Sequence, residues 1–114
     1  IIWAKKDCKG NKHFFNYSLM KEMNSGKQMK DVWEGSLTPK KEKSNGKHPT
    51  QKPLYLLEKI ILASSKEGDV ILDPFNGSGT TGVASKKLKR KYIGIDLDEE
   101  YINLTIKRLN ELDN

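Results

Sequence analysis

The chain has 114 residues and a net charge of +6, with 35% hydrophobic and 32% charged side chains, enough for one domain or part of one and with little apolar material to spare. No stretch approaches the roughly 20 apolar residues that span a membrane, and no signal peptide is visible at the start. The single cysteine, Cys8, excludes a disulfide framework and a cysteine-based zinc site, so a cytoplasmic protein without membrane partner or metal is expected.

Charge is unevenly placed. Residues 1–52 carry 12 lysines against 5 acids, whereas residues 53–114 carry 9 basic and 10 acidic side chains. A basic half joined to a nearly neutral one points to a polyanion on one side, or else to a solvated lysine-rich surface.

The chain opens Ile1-Ile2-Trp3-Ala4 without a methionine. This reads as a short strand, the middle of an element in a processed product or a fragment of a longer chain. His13–Met20 reads as an irregular extended piece. Residues 21–52 form a polar connection with turn-formers at Asn24-Ser25-Gly26 and Ser44-Asn45-Gly46. The run Pro39–Lys43 inside it reads as mobile.

From Pro53 the signals sharpen. Leu54–Ala63 is apolar on most faces, as in a buried helix, with Gly68 as its terminator. Val70-Ile71-Leu72 suits a strand covered on both faces. A glycine-rich turn leads into a helix from about Thr80 to Leu88, and Tyr92–Ile95 makes a second strand. Asp98 is placed to N-cap a last helix with Ile102, Ile106 and Leu109 on one face. Residues 69–112 thus read strand–loop–helix–strand–helix, a parallel α/β unit.

Candidate chemistry concentrates in Asp73-Pro74-Phe75-Asn76-Gly77-Ser78-Gly79-Thr80-Thr81-Gly82, which leaves a strand's C-terminal end and enters a helix. Ligands of open α/β sheets bind at such places. Glycines admit tight turns and close approach, and N–H groups at the helix start can hold an anionic group. Asp96, at the end of the next strand, is placed to accept hydrogen bonds from a ribose. Gly77, Gly79 and Gly82 also fit the G-x-G-x-x-G pattern of dinucleotide sites, with an acid about 20 residues on. Against that reading, four residues, Asp73-Pro74-Phe75-Asn76, separate strand from glycines. A carboxylate there disfavours a pyrophosphate and suits a ligand with an amino group and a cationic sulfonium.

His48-Pro49-Thr50-Gln51-Lys52-Pro53, the helix after it, Asp73–Thr80 and Gly94-Ile95-Asp96 closely resemble the C-terminal part of β-class DNA amino-methyltransferases, which modify adenine at N6 or cytosine at N4. The resemblance is strong over residues 48–112 and looser over 1–47, where Trp3–Lys6 and Asp31-Val32-Trp33 look like family pieces. It implies a three-layer, Rossmann-like α/β methyltransferase fold, incomplete in this chain. Residues 1–47 would end the catalytic region and hold a basic target-recognition segment, and residues 48–114 would bind S-adenosylmethionine. Asp73, Phe75, Gly77, Ser78, Gly79 and Thr80 would line the cofactor pocket, with Asp96 on the ribose and His48, Thr50 and Lys52 near the methionine end. Alternatively, His48 and Lys52 are solvated polar side chains beside two prolines, and Phe75 packs in the core.

The family's catalytic motif, Asp/Asn/Ser-Pro-Pro-aromatic, orients the amino group of a flipped base. No such tetrad occurs here, so an inactive chain is expected, completed by a separate polypeptide carrying the catalytic half or by a homo-oligomer. The resemblance also implies double-stranded DNA as substrate, adenine N6 as preferred target and a place in restriction–modification. Lys40, Lys41, Lys43 and Lys47 would meet phosphates, while Trp3 and Trp33 are better suited to packing than to base stacking. A non-catalytic DNA-binding remnant and a nicotinamide-dependent oxidoreductase fragment are the rival readings.

Overall fold

The structure is a computed structural model that describes residues 4, 10, 12–43 and 50–113. In chain order it contains α1 (Tyr17–Met23), a 3-10 turn (Lys40–Lys43), α2 (Leu54–Ser64), β1 (Val70–Asp73), α3 (Thr80–Lys87), β2 (Lys91–Gly94) and α4 (Glu99–Asn110). The strand expected over residues 1–4 lies outside the described residues, Ala4 apart.

β1 and β2 pair in parallel with Leu72 opposite Ile93 and Asp73 opposite Gly94. Helix α3 connects them and lies on one face of the pair. Gly82, near its start, sits so close to β2 that an added Cβ would lie 2.6 Å from Cε1 of Tyr92. Helix α2 packs along α3 and α4 flanks it, so the buried apolar residues Ile61, Ala63, Val83 and Ala84 gather between helices. The chain's two arginines, Arg90 and Arg108, both serve this core. Arg90 donates from Nη2 to the Ser65 carbonyl at 2.8 Å and from Nε to Ser65 Oγ at 3.1 Å, fastening the end of α2 beside β2.

Several expectations change. Residues 17–20 are helical, because the side chain of Asn16 accepts from the Leu19 N–H at 3.3 Å and caps α1. Pro39–Lys43, read as part of a polar connection, contains a 3-10 turn over Lys40–Lys43. Gly68 does not terminate α2, which ends at Ser64; its φ of +84° instead serves the turn into β1. Asp98 caps α4 through a bond from the Glu100 N–H at 2.9 Å. That helix, however, buries Thr105 and Arg108, while Ile106 is half exposed.

The strands are not covered on both faces. Val70, Leu72, Ile93 and Ile95 project from the face opposite α3 by the alternation of side chains along a strand, and each is more than half exposed. Among the described residues the fold is one helical layer on a two-stranded parallel sheet whose other face is bare. Parallel sheets are ordinarily buried on both faces.

Gly82→Ala should lower the chain's stability by about 1–3 kcal/mol, the usual cost of overpacking. Leu72→Ser, on the bare face, should change it by less than about 0.5 kcal/mol. Urea unfolding of the two variants measures the contrast.

Candidate functional site

At the C-terminal end of β1 the chain turns through Pro74–Gly79, and a cleft of about 150 Å³ opens against the segment before α2. Thr50, Lys52, Asp73, Phe75, Gly77, Ser78 and Thr80 line it, together with Gln51, Asn76 and Thr81. The structure thus brings together seven of the ten residues singled out as cofactor-binding. Gly79 lies buried beneath the loop and Asp96 stands beside it; His48, like Lys47 of the basic run, lies outside the described residues. Lys40 and Lys41 are exposed and Lys43 is half-buried, on the 3-10 turn. Trp33 is half-buried, with the Lys59 ammonium 4.4 Å from its ring centroid and its indole N–H donated to the Lys30 carbonyl at 2.8 Å.

Hydrogen bonds within the chain hold the loop in shape. The Asp73 carboxylate accepts from the Phe75 N–H at 3.1 Å and from the Thr81 hydroxyl at 2.6 Å, closing the turn over the start of α3. Asp96 accepts from the Gly77 N–H at 2.7 Å and from the Asp98 N–H at 3.0 Å. The Gly79 N–H is donated to the Asn76 carbonyl at 3.0 Å. The N–H groups of Gly77 and Gly79, just before the helix start, are therefore engaged within the chain. Phe75 is not core packing: the residue is 88% exposed at the cleft edge.

Beneath the loop lies a polar network that apolar periodicity does not reveal. Asn76, nearly fully buried, donates from Nδ2 to the Gly77 carbonyl at 2.9 Å and to Thr105 Oγ1 at 2.7 Å, and its Oδ1 accepts from the Tyr92 hydroxyl. Arg108 donates from Nη1 to the Ser78 carbonyl and, at 3.2 Å, to Thr80 Oγ1. Burial pulls the Arg108 pKa down, against the opposing influence of Glu42 and Glu111; a guanidinium nonetheless stays charged at neutral pH. The available signals were Thr105 and Arg108 one helical step apart inside an apolar stripe, and one of the two arginines among 21 basic side chains.

A cavity of about 320 Å³ beside α1, lined by His13, Phe15, Tyr17, Met20, Lys21, Gln28 and Met29, is larger than the cleft. It contains none of the strand-end residues, and the parallel α/β geometry favours the cleft as the site.

Burial first, then the nearby Asp73 and Asp96 carboxylates, push the Tyr92 phenol well above its ordinary value of about 10. A raised folded value means the fold favours the neutral phenol. That stabilisation is complete below pH about 10 and is lost as pH rises through the folded value. Stability should therefore decline above pH about 10 more steeply in the parent than in Tyr92→Phe. Absorbance titration should show one of the four tyrosines ionising after the others.

A family model described as DNA methylase, of the N6/N4 type, matches residues 1–107. The chain is 66% identical over 111 residues to the Type II methyltransferase M2.LlaDCHI of Lactococcus lactis subsp. cremoris, covering 97% of this chain and 41% of that protein. It is 67% identical over 109 residues to the Type II methyltransferase M2.DpnII of Streptococcus pneumoniae, covering 96% and 41%. Among solved structures, the M1.HpyAVI–SAM complex matches with a TM-score of 0.53 at 52% identity, over 57% of this chain and 34% of that one. The cytosine-N4-specific PvuII DNA methyltransferase matches at 0.53 and 31% identity, over 59% and 24%. The shared fold is that of these methyltransferases, of which the described residues form two strands and one helical layer, and the chain spans about two-fifths of the length of the curated relatives it matches. With the sequence motifs, the strand-end cleft and these matches in agreement, the chain belongs to the N6/N4 DNA methylase family.

Proposed function

We propose that this chain is the cofactor-binding portion of a DNA amino-methyltransferase of a Type II restriction–modification system, acting in the cytoplasm on double-stranded DNA. Adenine N6 is the preferred target and cytosine N4 the alternative. The observation that carries the reading is the convergence of Asp73, Phe75, Gly77, Ser78, Thr80, Thr50 and Lys52 on one cleft at the end of a parallel strand, with Asp96 hydrogen-bonded to the glycine loop.

The donor set suits S-adenosylmethionine. Two carboxylates, Asp73 and Asp96, suit a cationic ligand with amino and hydroxyl groups better than a diphosphate, and Lys52, which lines the cleft, would meet the ligand's own carboxylate. Asp96 accepts from the backbone N–H groups of Gly77 and Asp98, and as an acceptor-only carboxylate at the loop it would take ribose hydroxyls. Phe75 would cover an apolar face of the ligand, and the buried network beneath the loop would hold Gly77–Thr80 in place. The cofactor supplies an electrophilic methyl on its sulfonium; transfer to an amino nitrogen is a direct displacement without a covalent enzyme intermediate. This chain has no Asp/Asn/Ser-Pro-Pro-aromatic tetrad, so orienting the target amine falls to residues outside it.

A cleft of about 150 Å³ is smaller than the roughly 300–1,000 Å³ typical of small-molecule sites. Phe75 stands open at its edge, and one face of the sheet is bare. We infer that a polypeptide carrying the catalytic motif completes the site by covering this face and pairing with the free edge of β1. It is either the remaining length that the relatives possess or a separate chain.

Calorimetric titration with S-adenosylmethionine, with NAD as control, should show selective binding. Asp96→Asn, which keeps one acceptor for Gly77, should weaken it about tenfold or more, as expected when a charged hydrogen bond is removed. Equal affinity for NAD, or an unaffected variant, would overturn the reading. Replacing Lys40, Lys41, Lys43 and Lys47 with alanine should flatten the dependence of log affinity for duplex DNA on log salt, by up to about 0.9 for each phosphate no longer neutralised. An unchanged slope would assign those lysines to a solvated face.

A further inference from the structure

Helix α2 carries Tyr55, Lys59 and Ala63 at four-residue intervals, with Gln51 one interval before them. Positions so spaced fall on one face of a helix. Each meets an earlier part of the chain. The Asn16 N–H is donated to the Ala63 carbonyl at 2.9 Å, and the Lys59 ammonium stands over the Trp33 ring. The Tyr55 hydroxyl donates to the Ser36 carbonyl at 3.1 Å, and the Thr38 hydroxyl donates to the Gln51 carbonyl at 2.6 Å. From Asn16 to Thr38 the chain therefore follows α2 in the opposite direction, as a strap. It leads into the 3-10 turn bearing Lys40, Lys41 and Lys43. There Gln51 Nε2 donates to the Glu42 carbonyl at 2.8 Å and the Leu54 N–H to Glu42 Oε2 at 2.9 Å. Gln51 is buried and, with Thr50 and Lys52, forms one wall of the cleft, so the lysine turn is bonded to that wall.

Burial does little to hold the middle of the strap: residues 34–37 are exposed, Leu37 at 92%. Contact there comes from Tyr55. Its ring lies so close to Gly35 that an added Cβ would be 2.8 Å from Cε2 and nearer still to the hydroxyl. Gly35 is not among the glycines with a left-handed φ, so room for the ring, and not backbone conformation, calls for glycine there. Lysines on an unanchored loop lose conformational freedom when they bind a phosphate, and that cost is smaller where the loop is already seated.

We propose that Tyr55 is a positioning residue for DNA contact: by gripping Gly35 and Ser36 it seats residues 33–38 on α2, and so holds the lysine turn at a fixed place on the cleft wall. The proposal rests on the reading of that turn as the place that meets phosphates, whereas the seating itself can be tested without DNA.

Binding of duplex DNA by the 114-residue chain, measured across a salt series, compares the parent with Tyr55→Ala, Gly35→Ala and the double variant. Tyr55→Ala removes no charge. It should nonetheless weaken binding about fivefold to tenfold, as when the competent arrangement becomes a minor population, while the slope of log affinity on log salt is kept. Gly35→Ala should weaken binding similarly by displacing the ring. It should add little in the double variant, since the effects of residues in contact are not additive. Brief treatment with trypsin reads the seating alone. Cleavage after Lys40 and Lys41 should be about fivefold faster in either single variant, as expected where local opening becomes easier. Parent-like affinity in the single variants, additive losses in the double variant, or unchanged cleavage would each overturn the proposal. Should Tyr55→Ala fail to fold, Gly35→Ala, at an exposed position, decides by affinity and cleavage. A parent that binds no duplex DNA would strike the functional reading instead, while the cleavage rates still decide whether Tyr55 seats the strap.

Discussion

The amide of Asn76 is the point on which the cleft is built. Its side chain donates twice and accepts once, to Gly77, Thr105 and Tyr92, while its backbone donates to the Ile95 carbonyl at 2.9 Å and accepts from Gly79. One residue therefore joins the loop, β2 and α4. An amide suits the place because it carries donors and an acceptor together. An ionised carboxylate would have no proton for the Gly77 carbonyl, and an apolar side chain would leave buried partners unsatisfied at about 1–3 kcal/mol each. With this node fixed, Asp96 reaches Gly77 and Arg108 reaches Ser78.

The same node explains the glycines. A Cβ on Gly79, whose φ is +72°, would lie 2.4 Å from Thr105 Oγ1; one on Gly94 would lie 2.5 Å from both Asn76 Oδ1 and the Tyr92 hydroxyl. Gly82 is set by Tyr92 in the same way. Two glycines of the G-x-G-x-x-G spacing, Gly79 and Gly82, thus have a source in how helix, loop and strand pack, whatever ligand lies above them. That is why the spacing alone left two cofactor classes open, and why the residues between strand and glycines had to separate them.

Much of the unit after Pro53 was legible because its signals are local. A decapeptide apolar on most faces, two short apolar runs and an aspartate at a helix start each fix an element by propensity and capping. Residues 17–20 misled because α1 is seven residues long and rests on one asparagine cap, with little periodicity to detect. The bare sheet face was beyond reach for a different reason. Val70-Ile71-Leu72 reads the same whether its cover belongs to this chain or to another. The network of Asn76, Tyr92, Thr105 and Arg108 was missed because a search for apolar faces passes over buried polar side chains. Within the cleft, the motif residues found through family resemblance converge; their supporting residues had to come from geometry.

The division of labour among the basic side chains has a consequence for how this molecule can change. Both arginines are turned inward, where a planar fork can bind carbonyls at fixed angles, while lysines such as Lys40, Lys41 and Lys87 stand at the surface. Outer charge and inner scaffold are therefore written in different residues. Mutational drift, or chemical acylation of amines, can redraw the electrostatic surface broadly while the guanidinium contacts under the loop stay as they are.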